Sequence, residues 1–369
     1  MGRGVARQSA RACRRQDGGH GSRVQRDHLG ARARRSRSAL AEHEPLRAAG
    51  ALAGVHQSAL RLHDAVPAAP ATEPEHGAFL PLSVVPRERR FALPGLSLAA
   101  EIWGSPGERP VIASHGWLDN AGSFALLAPL LPECEIVALD LAGHGFSDAR
   151  SADSSYNIWQ DVGDLLDVAD ELGWQRFTLL GHSRGAAISM LFAGTFPERV
   201  DKLVLIEGGL PLTAEASEAP AGLAQALRES RALRDKGGRV FRERATAIAE
   251  RAGGFSKVTK AAAELLARRS LREVPSGGFQ WHADQRLKAQ SELRLTPEHV
   301  RAFAQAVRAP VLLLFAEKSP FADRPLYREM PQLFADIEVD RIPGGHHFHL
   351  EGSEEAIALR IRRFLDSAR

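Results

Sequence analysis

From about Pro86 to the C-terminus, short apolar runs alternate with longer stretches in which apolar residues recur at helical spacing. Val111-Ile112-Ala113-Ser114, Glu135 to Asp140, Arg176 to Leu180, Lys202 to Gly209, Pro310 to Ala316 and Ile337 to Ile342 read as strands, most of them apolar on both faces. Phe91-Ala92-Leu93 and Leu96 to Trp103, split by Pro94-Gly95, predict a hairpin ahead of them. Between the strands lie predicted helices at Ser123 to Leu131, Ile158 to Leu172, Ala186 to Ala193, Pro325 to Phe334 and Ser353 to Ser367. The second has Trp159, Val162, Leu165, Leu166, Val168 and Ala169 at helical spacing. Ser353, followed by Glu354 and Glu355, makes a good helix start, because acids favour the positive end. This alternation predicts an α/β fold with a mostly parallel eight-stranded sheet covered by helices on both faces. Ligands then belong at the strands' C-terminal ends.

The rhythm breaks over residues 211–308, where charged helical stretches appear at Leu223 to Lys236, Val240 to Ala252 and Lys257 to Arg269. We expect a helical cap there, inserted into a core formed by residues 86–210 and 309–369. Residues 1–75 show no lasting apolar period and are expected to be a disordered Arg/Ala-rich extension or the product of a misassigned start. A transit peptide or RNA-binding arm is the alternative for that composition.

Charge removes one function class. The sequence pI near 9.1 suggests nucleic-acid binding. However, residues 1–75 hold 13 arginines against 7 acidic residues, so residues 76–369 carry −3 of the chain's net +3. The folded part therefore offers no basic face for phosphates. No apolar run approaches a membrane span, so no membrane association is expected. The two cysteines, Cys13 and Cys134, imply no disulfide framework and suit a reducing, cytoplasmic setting.

Chemistry enters at Gly181-His182-Ser183-Arg184-Gly185, between a buried strand and a small-residue helix. A serine between glycines at such a switch is the pattern of a nucleophile elbow. Side chains at Gly181 and Gly185 would collide with the adjoining strand or helix. A serine hydroxyl needs a base, and His346 follows the last strand. The oxyanion needs two donors, for which the backbone N–H groups of Arg184 and of Trp117, after His115-Gly116, are the candidates.

With these motifs the chain resembles the α/β-hydrolase superfamily over about residues 86–369. The matching residues are His115-Gly116-Trp117, Asp140-Leu141-Ala142-Gly143-His144-Gly145-Phe146-Ser147, the elbow, and Gly344-Gly345-His346-His347-Phe348-His349-Leu350-Glu351. More narrowly, His115-Gly116-Trp117-Leu118-Asp119-Asn120-Ala121-Gly122-Ser123-Phe124 resembles the serine-hydrolase-like group near the epoxide-hydrolase and haloalkane-dehalogenase branch. The resemblance implies that His346, not His347 or His349, is the base. It also implies that Ser183 replaces the branch's aspartate nucleophile, which favours acyl transfer. The family's usual acid position holds Ser319, which cannot steady an imidazolium. Related members carry a glutamate after the strand that follows the elbow helix, and Ile206-Glu207-Gly208-Gly209 resembles that pattern. Glu207 is therefore the expected acid, with Glu317 and Asp323 as alternatives.

The remaining candidates read as structural. His144 is expected to hold its loop, His182 to face a flanking helix or the pocket wall, and Trp281 to line the pocket or pack inside the cap. His347 and His349 beside His346 suggest a metal cluster, but no carboxylate or cysteine shows ligand spacing, so neither metal nor cofactor is expected. The expected function is a serine hydrolase acting on a small, mainly apolar ester through an acyl-enzyme. The same motifs serve lactonases, carbon–carbon bond hydrolases and cofactor-free haloperoxidases, and Ser319 admits a weakened binding protein as a second class.

Overall fold

The computed structural model describes residues 85–254 and 257–368. The expected extension over residues 1–75, Cys13 included, lies outside the described residues. β1 (Arg87–Leu93) and β2 (Leu96–Trp103) form the hairpin, with Leu93 opposite Leu96. Proline presets the turn's first dihedral, and Gly95 completes it at φ +81°. β3 (Arg109–Ser114), β4 (Cys134–Leu139), α1 (Ile158–Glu171), β5 (Phe177–His182), α2 (Arg184–Thr195) and β6 (Val200–Ile206) follow where the apolar pattern puts them.

After β6 come α3 (Ala219–Arg234), β7 (Val240–Phe241), α4 (Arg244–Gly253), α5 (Lys260–Ser270), β8 (Leu271–Glu273), β9 (Phe279–Trp281) and α6 (Pro297–Ala306). β10 (Val311–Ala316), α7 (Pro325–Leu333), β11 (Ile337–Ile342) and α8 (Glu354–Asp366) complete the chain. The main sheet runs β1-β2-β4-β3-β5-β6-β10-β11, and β2 alone opposes the other seven strands.

One face of the sheet packs on α1, α2, α6 and α7 through residues such as Leu165, Ile188, Val300 and Met330. The other packs on α8 and the segment around Phe124 and Leu127. Burial on both faces is why the central strands contain so few polar residues. Cys134 is a free cysteine at the start of β4, and burial pushes its thiol up to about 12.

Several expectations needed correction. Ser123 to Leu131 is not one helix but two short 3₁₀ turns, Ala121–Phe124 and Ala128–Leu130. Pro129 lacks the N–H an α-helix would need there, and its ring disfavours the helical conformation before it. Val240-Phe241 pairs with β9 instead of opening a helix, and β7-β9-β8 form a small antiparallel sheet. α6 has no counterpart among the predicted helices, although Thr296 caps it and Pro297 occupies its first turn. Trp159 is 42% exposed, so the buried stripe of α1 is Val162, Leu165, Val168 and Ala169. Ser353 precedes α8 but makes no capping bond, because its hydroxyl donates to the Pro343 carbonyl at 2.6 Å. Among the described residues no helix is long and apolar enough to cross a membrane.

Close approach of backbones sets the geometry at the sheet's C-terminal edge. A Cβ on Gly185 would lie 2.0 Å from the Ser114 carbonyl oxygen, and one on Gly181 2.4 Å from Ala186 Cα. Alanine normally outscores glycine in a helix by roughly 1 kcal/mol, but here the obstacle is backbone. Gly185→Ala is therefore expected to destabilise the fold by about 1–3 kcal/mol, read as a lower urea midpoint. An unchanged or higher midpoint contradicts this packing.

Candidate active site

The elbow is strained where chemistry would need it. Ser183 sits at φ 53°, ψ −112°, between the end of β5 and the first residue of α2. Among the described residues only three non-glycines have positive φ: Leu118, Ser183 and Glu207. All three follow the C-terminal ends of neighbouring strands, β3, β5 and β6. Such conformations cost roughly 1–3 kcal/mol each and persist only where the surroundings impose them. Here the Ser183 N–H donates to the Ile206 carbonyl at 2.9 Å, and the Glu207 N–H to Leu314 at 2.8 Å. A Cβ on Gly208 would stand 2.9 Å from Ser183 Cα, so the chain leaving β6 presses on the serine.

Glu207 is fully buried. Its Oε2 accepts the Ala316 N–H at 2.8 Å, fixing the carboxylate against β10. Its Oε1 stands 3.8 Å from Nδ1 of His346, and neither atom has a hydrogen-bond partner. Two unmatched polar atoms of opposite role, facing each other, mark a contact that a small approach would close. The alternatives lie elsewhere. Glu317 is exposed, and Asp323, also exposed, pairs with Arg328 at 3.8 Å. The hydroxyl of Ser319 accepts the N–H groups of Phe321 and Ala322 at 3.1 and 3.3 Å, shaping its own turn.

The two expected oxyanion donors belong to adjoining backbones. Arg184 opens α2, where the first N–H groups have no intrahelical acceptor. Its guanidinium turns away to Asp161 at 2.6 Å. The start of α2 abuts the end of β3, since a Cβ on Gly185 would also lie 2.7 Å from the His115 carbonyl oxygen. Trp117, 37% exposed, anchors its indole N–H on the Leu287 carbonyl at 2.9 Å, leaving its backbone in the turn.

Two histidines hold that turn from below. His115 donates through Nδ1 to the Gly116 carbonyl at 2.7 Å and accepts the Leu141 N–H at 3.0 Å. His144 donates through Nδ1 to Ala142 at 3.0 Å and accepts the Leu118 N–H at 3.3 Å. Each therefore uses both ring nitrogens as a neutral imidazole, and His144 has the structural role expected of it.

The sequence missed the hub at Asp119. This carboxylate is 1% exposed, and Arg251 of α4 donates to its Oδ1 at 2.7 Å. His347 donates from Nε2 to its Oδ2 at 3.2 Å, and His182 Nδ1 lies 3.8 Å from the same oxygen. Burial alone would raise the pKa of Asp119, but His347, Arg251 and His182 outweigh it and hold the carboxyl well below its ordinary 3.8. His182 faces neither a flanking helix nor a pocket wall. Its Nε2 donates to the carbonyl of His346 at 2.9 Å, and its ring packs among His346, His347 and His349. His349 pairs with the Ser123 hydroxyl at 2.9 Å. Trp281 donates to the Ala247 carbonyl at 3.2 Å and packs beside Ile248 and Ala262, the packing alternative of its two expected roles.

A second buried hub ties α5 to the sheet. Arg269, 2% exposed, grips Asp140 at 2.8 Å through Nη2 and reaches Glu101 at 3.1 Å and Glu88. Asp140 in turn accepts the N–H groups of Ala121 and Phe146, both at 2.8 Å. Asp119 and Asp140 lie inside motifs the sequence displays. Their arginine partners stand more than a hundred residues away, with no local signal to reveal the pairing.

The chain is similar to known proteins in sequence and in fold. Residues 109–353 match the family described as alpha/beta hydrolase fold. A serine hydrolase-like protein of Danio rerio is 31% identical over 293 residues, covering 75% of this chain and 88% of the relative. The crystal structure of a hypothetical protein from Pseudomonas aeruginosa PAO1 is similar with 45% identity and a TM-score of 0.73, covering 76% of this chain and 99% of that one. The thioesterase domain from the curacin biosynthetic pathway is similar with 25% identity and a TM-score of 0.67, covering 75% and 99%.

The buried imidazoles make stability depend on pH. Burial lowers His115, His144, His182 and His349 below the ordinary 6.5, with neighbouring imidazoles adding to the effect for His144, His182 and His349, and His349 falls to about 3. An unfolded chain takes up these protons below pH 6.5 while the folded one refuses them. Stability is therefore fully present above about pH 7 and declines as the pH falls below about 6.5. Thermal melts at pH 7.5 and pH 5 check this, and equal melting temperatures contradict it.

Proposed function

We propose, from the premise that the chain belongs to the α/β-hydrolase fold family, that it is a serine hydrolase acting on small, mainly apolar carboxylic esters or related carbonyl compounds. Ser183 Oγ attacks the carbonyl carbon while His346 takes its proton. Glu207 holds the imidazole's other nitrogen and stabilises its charged form. The backbone N–H groups of Trp117 and Arg184 receive the developing oxyanion. His346 then returns the proton to the leaving alcohol, and water releases the acyl group by the same steps reversed.

The observation that carries this reading is the pair of unmatched atoms on Glu207 and His346, 3.8 Å apart, beside a serine held at φ 53°. Ser319 at the usual acid position favours a binding protein; the Glu207 carboxylate facing His346 supports the hydrolase instead. In this reading residues 211–308 serve as the cap. Its helices reach the site's turns through Arg251 to Asp119, and through Asn120, whose amide donates to the Leu266 carbonyl at 2.8 Å and the Ser270 hydroxyl at 2.7 Å.

Hydrolysis of p-nitrophenyl butyrate by the full chain tests the assignment. Ser183→Ala is expected to abolish both turnover and labelling by a fluorophosphonate probe. Labelling of another residue, or turnover that survives the substitution, removes the mechanism. Glu207→Gln should lower kcat by about 10⁴-fold, as neutralising a triad acid does, while Glu317→Gln leaves it unchanged. The reverse result moves the acid and keeps the nucleophile.

A further inference from the structure

Four imidazoles crowd the space between the elbow and the turn after β11. The His182 ring centroid lies 4.9 Å from that of His346, 5.1 Å from His347 and 4.0 Å from His349. One ring nitrogen from each of His182, His346 and His347 falls within 4.8 Å of the other two. The protons of two of these rings are already committed. His182 Nε2 faces the His346 carbonyl and His347 Nε2 faces Asp119, and an oxygen acceptor demands a donor opposite it. Nδ1 of both rings is then a bare lone pair, and neither has a hydrogen-bond partner. Nδ1 of His346 faces the Glu207 carboxylate, so the lone pair this ring offers is on Nε2. His182 and His347 are 0% and 1% exposed, so bulk water does not solvate them.

Unsatisfied buried acceptors cost roughly 1–3 kcal/mol each. Clustered imidazole lone pairs are the donor set that zinc-like cations favour. The Asp119–His347 pair supplies the carboxylate–histidine support that orients such ligands and raises their basicity. We propose that His182, His346 and His347 bind a divalent transition-metal ion of the zinc class, and that the ion inhibits hydrolysis by occupying His346. Only the second half rests on the serine-hydrolase reading. Metal–nitrogen bonds near 2.1 Å put ligand nitrogens about 3.4 Å apart, so the cluster contracts on binding. The base turn can supply that movement. His346 is the partly exposed member of the three, and a Cβ on Gly345 would meet nothing within 4 Å.

Equilibrium dialysis with Zn²⁺ and visible absorption with Co²⁺ test binding on the full chain, independently of turnover. His182→Asn and His347→Asn are each expected to lose one bound equivalent relative to the unmodified chain, whereas His349→Asn and Ser183→Ala retain it. Asp119→Asn should weaken binding about 10–100-fold. Zn²⁺ should inhibit ester hydrolysis by the unmodified chain, and chelation should restore it. Equal metal content in the two histidine variants and the unmodified chain overturns the site. If those variants fail to fold, Co²⁺-induced shifts of the His346 and His347 proton resonances decide, and their absence overturns it. An equivalent lost from the variants without turnover in any protein sinks the hydrolase reading alone. Turnover without a lost equivalent sinks the metal site alone.

Discussion

Backbone contact at the carboxyl edge of β3, β5 and β6 is the constraint on which the site depends. Gly185 lets α2 start against the carbonyl of Ser114, and Gly208 lets the chain leaving β6 pass beside Ser183. With those approaches in place, Ser183 and Glu207 have no relaxed alternative and hold positive φ. A half-buried serine on a strained turn and a carboxylate delivered from the next strand are two results of one packing arrangement. The cost is borne by the buried sheet beneath, in clusters centred on residues such as Leu179, Leu205 and Leu313 on one face and Leu180, Val204 and Leu312 on the other.

The histidines around this edge are chemically identical and do different work. What separates them is the partner of each ring nitrogen. His115 and His144 have both nitrogens bonded to backbone, so they are structural. His182 and His347 have one nitrogen bonded and one bare. His346 alone of the five is partly exposed, and it faces a carboxylate. In a low-dielectric interior such differences decide which imidazole can move a proton and which must stay neutral.

Residues 211–308 join the site through charges as well as apolar packing. Arg251 meets Asp119 and Arg269 meets Asp140, both with the carboxylate at 1% exposure or less. Pairs of this kind add little net stability, because removing both ions from water is expensive. Breaking one by removing a partner is costly, so each fixes where its helix lies. Asp119 also touches the loop after β11 through His347. A shift of α4 therefore reaches the turn before β4 and the loop after β11 through a single carboxylate.

The sequence by itself determined the strand–helix alternation, the elbow and the three turns that carry its proposed partners. Each depends on local signals: runs of apolar residues, glycines where no Cβ fits, and a histidine after the last strand. It also pointed to Glu207, a charge at the end of a buried strand. Tertiary structure decided what local signals cannot encode. Pro129 broke an apolar stretch into two turns, Val240-Phe241 found a strand partner about forty residues on, and His182 was bonded to the His346 carbonyl. It also brought Glu207, rather than Glu317 or Asp323, to His346, and gave Asp119 its arginine. Pairings between distant residues follow from which surfaces the sheet brings together, and no window along the chain contains both halves of such a contact.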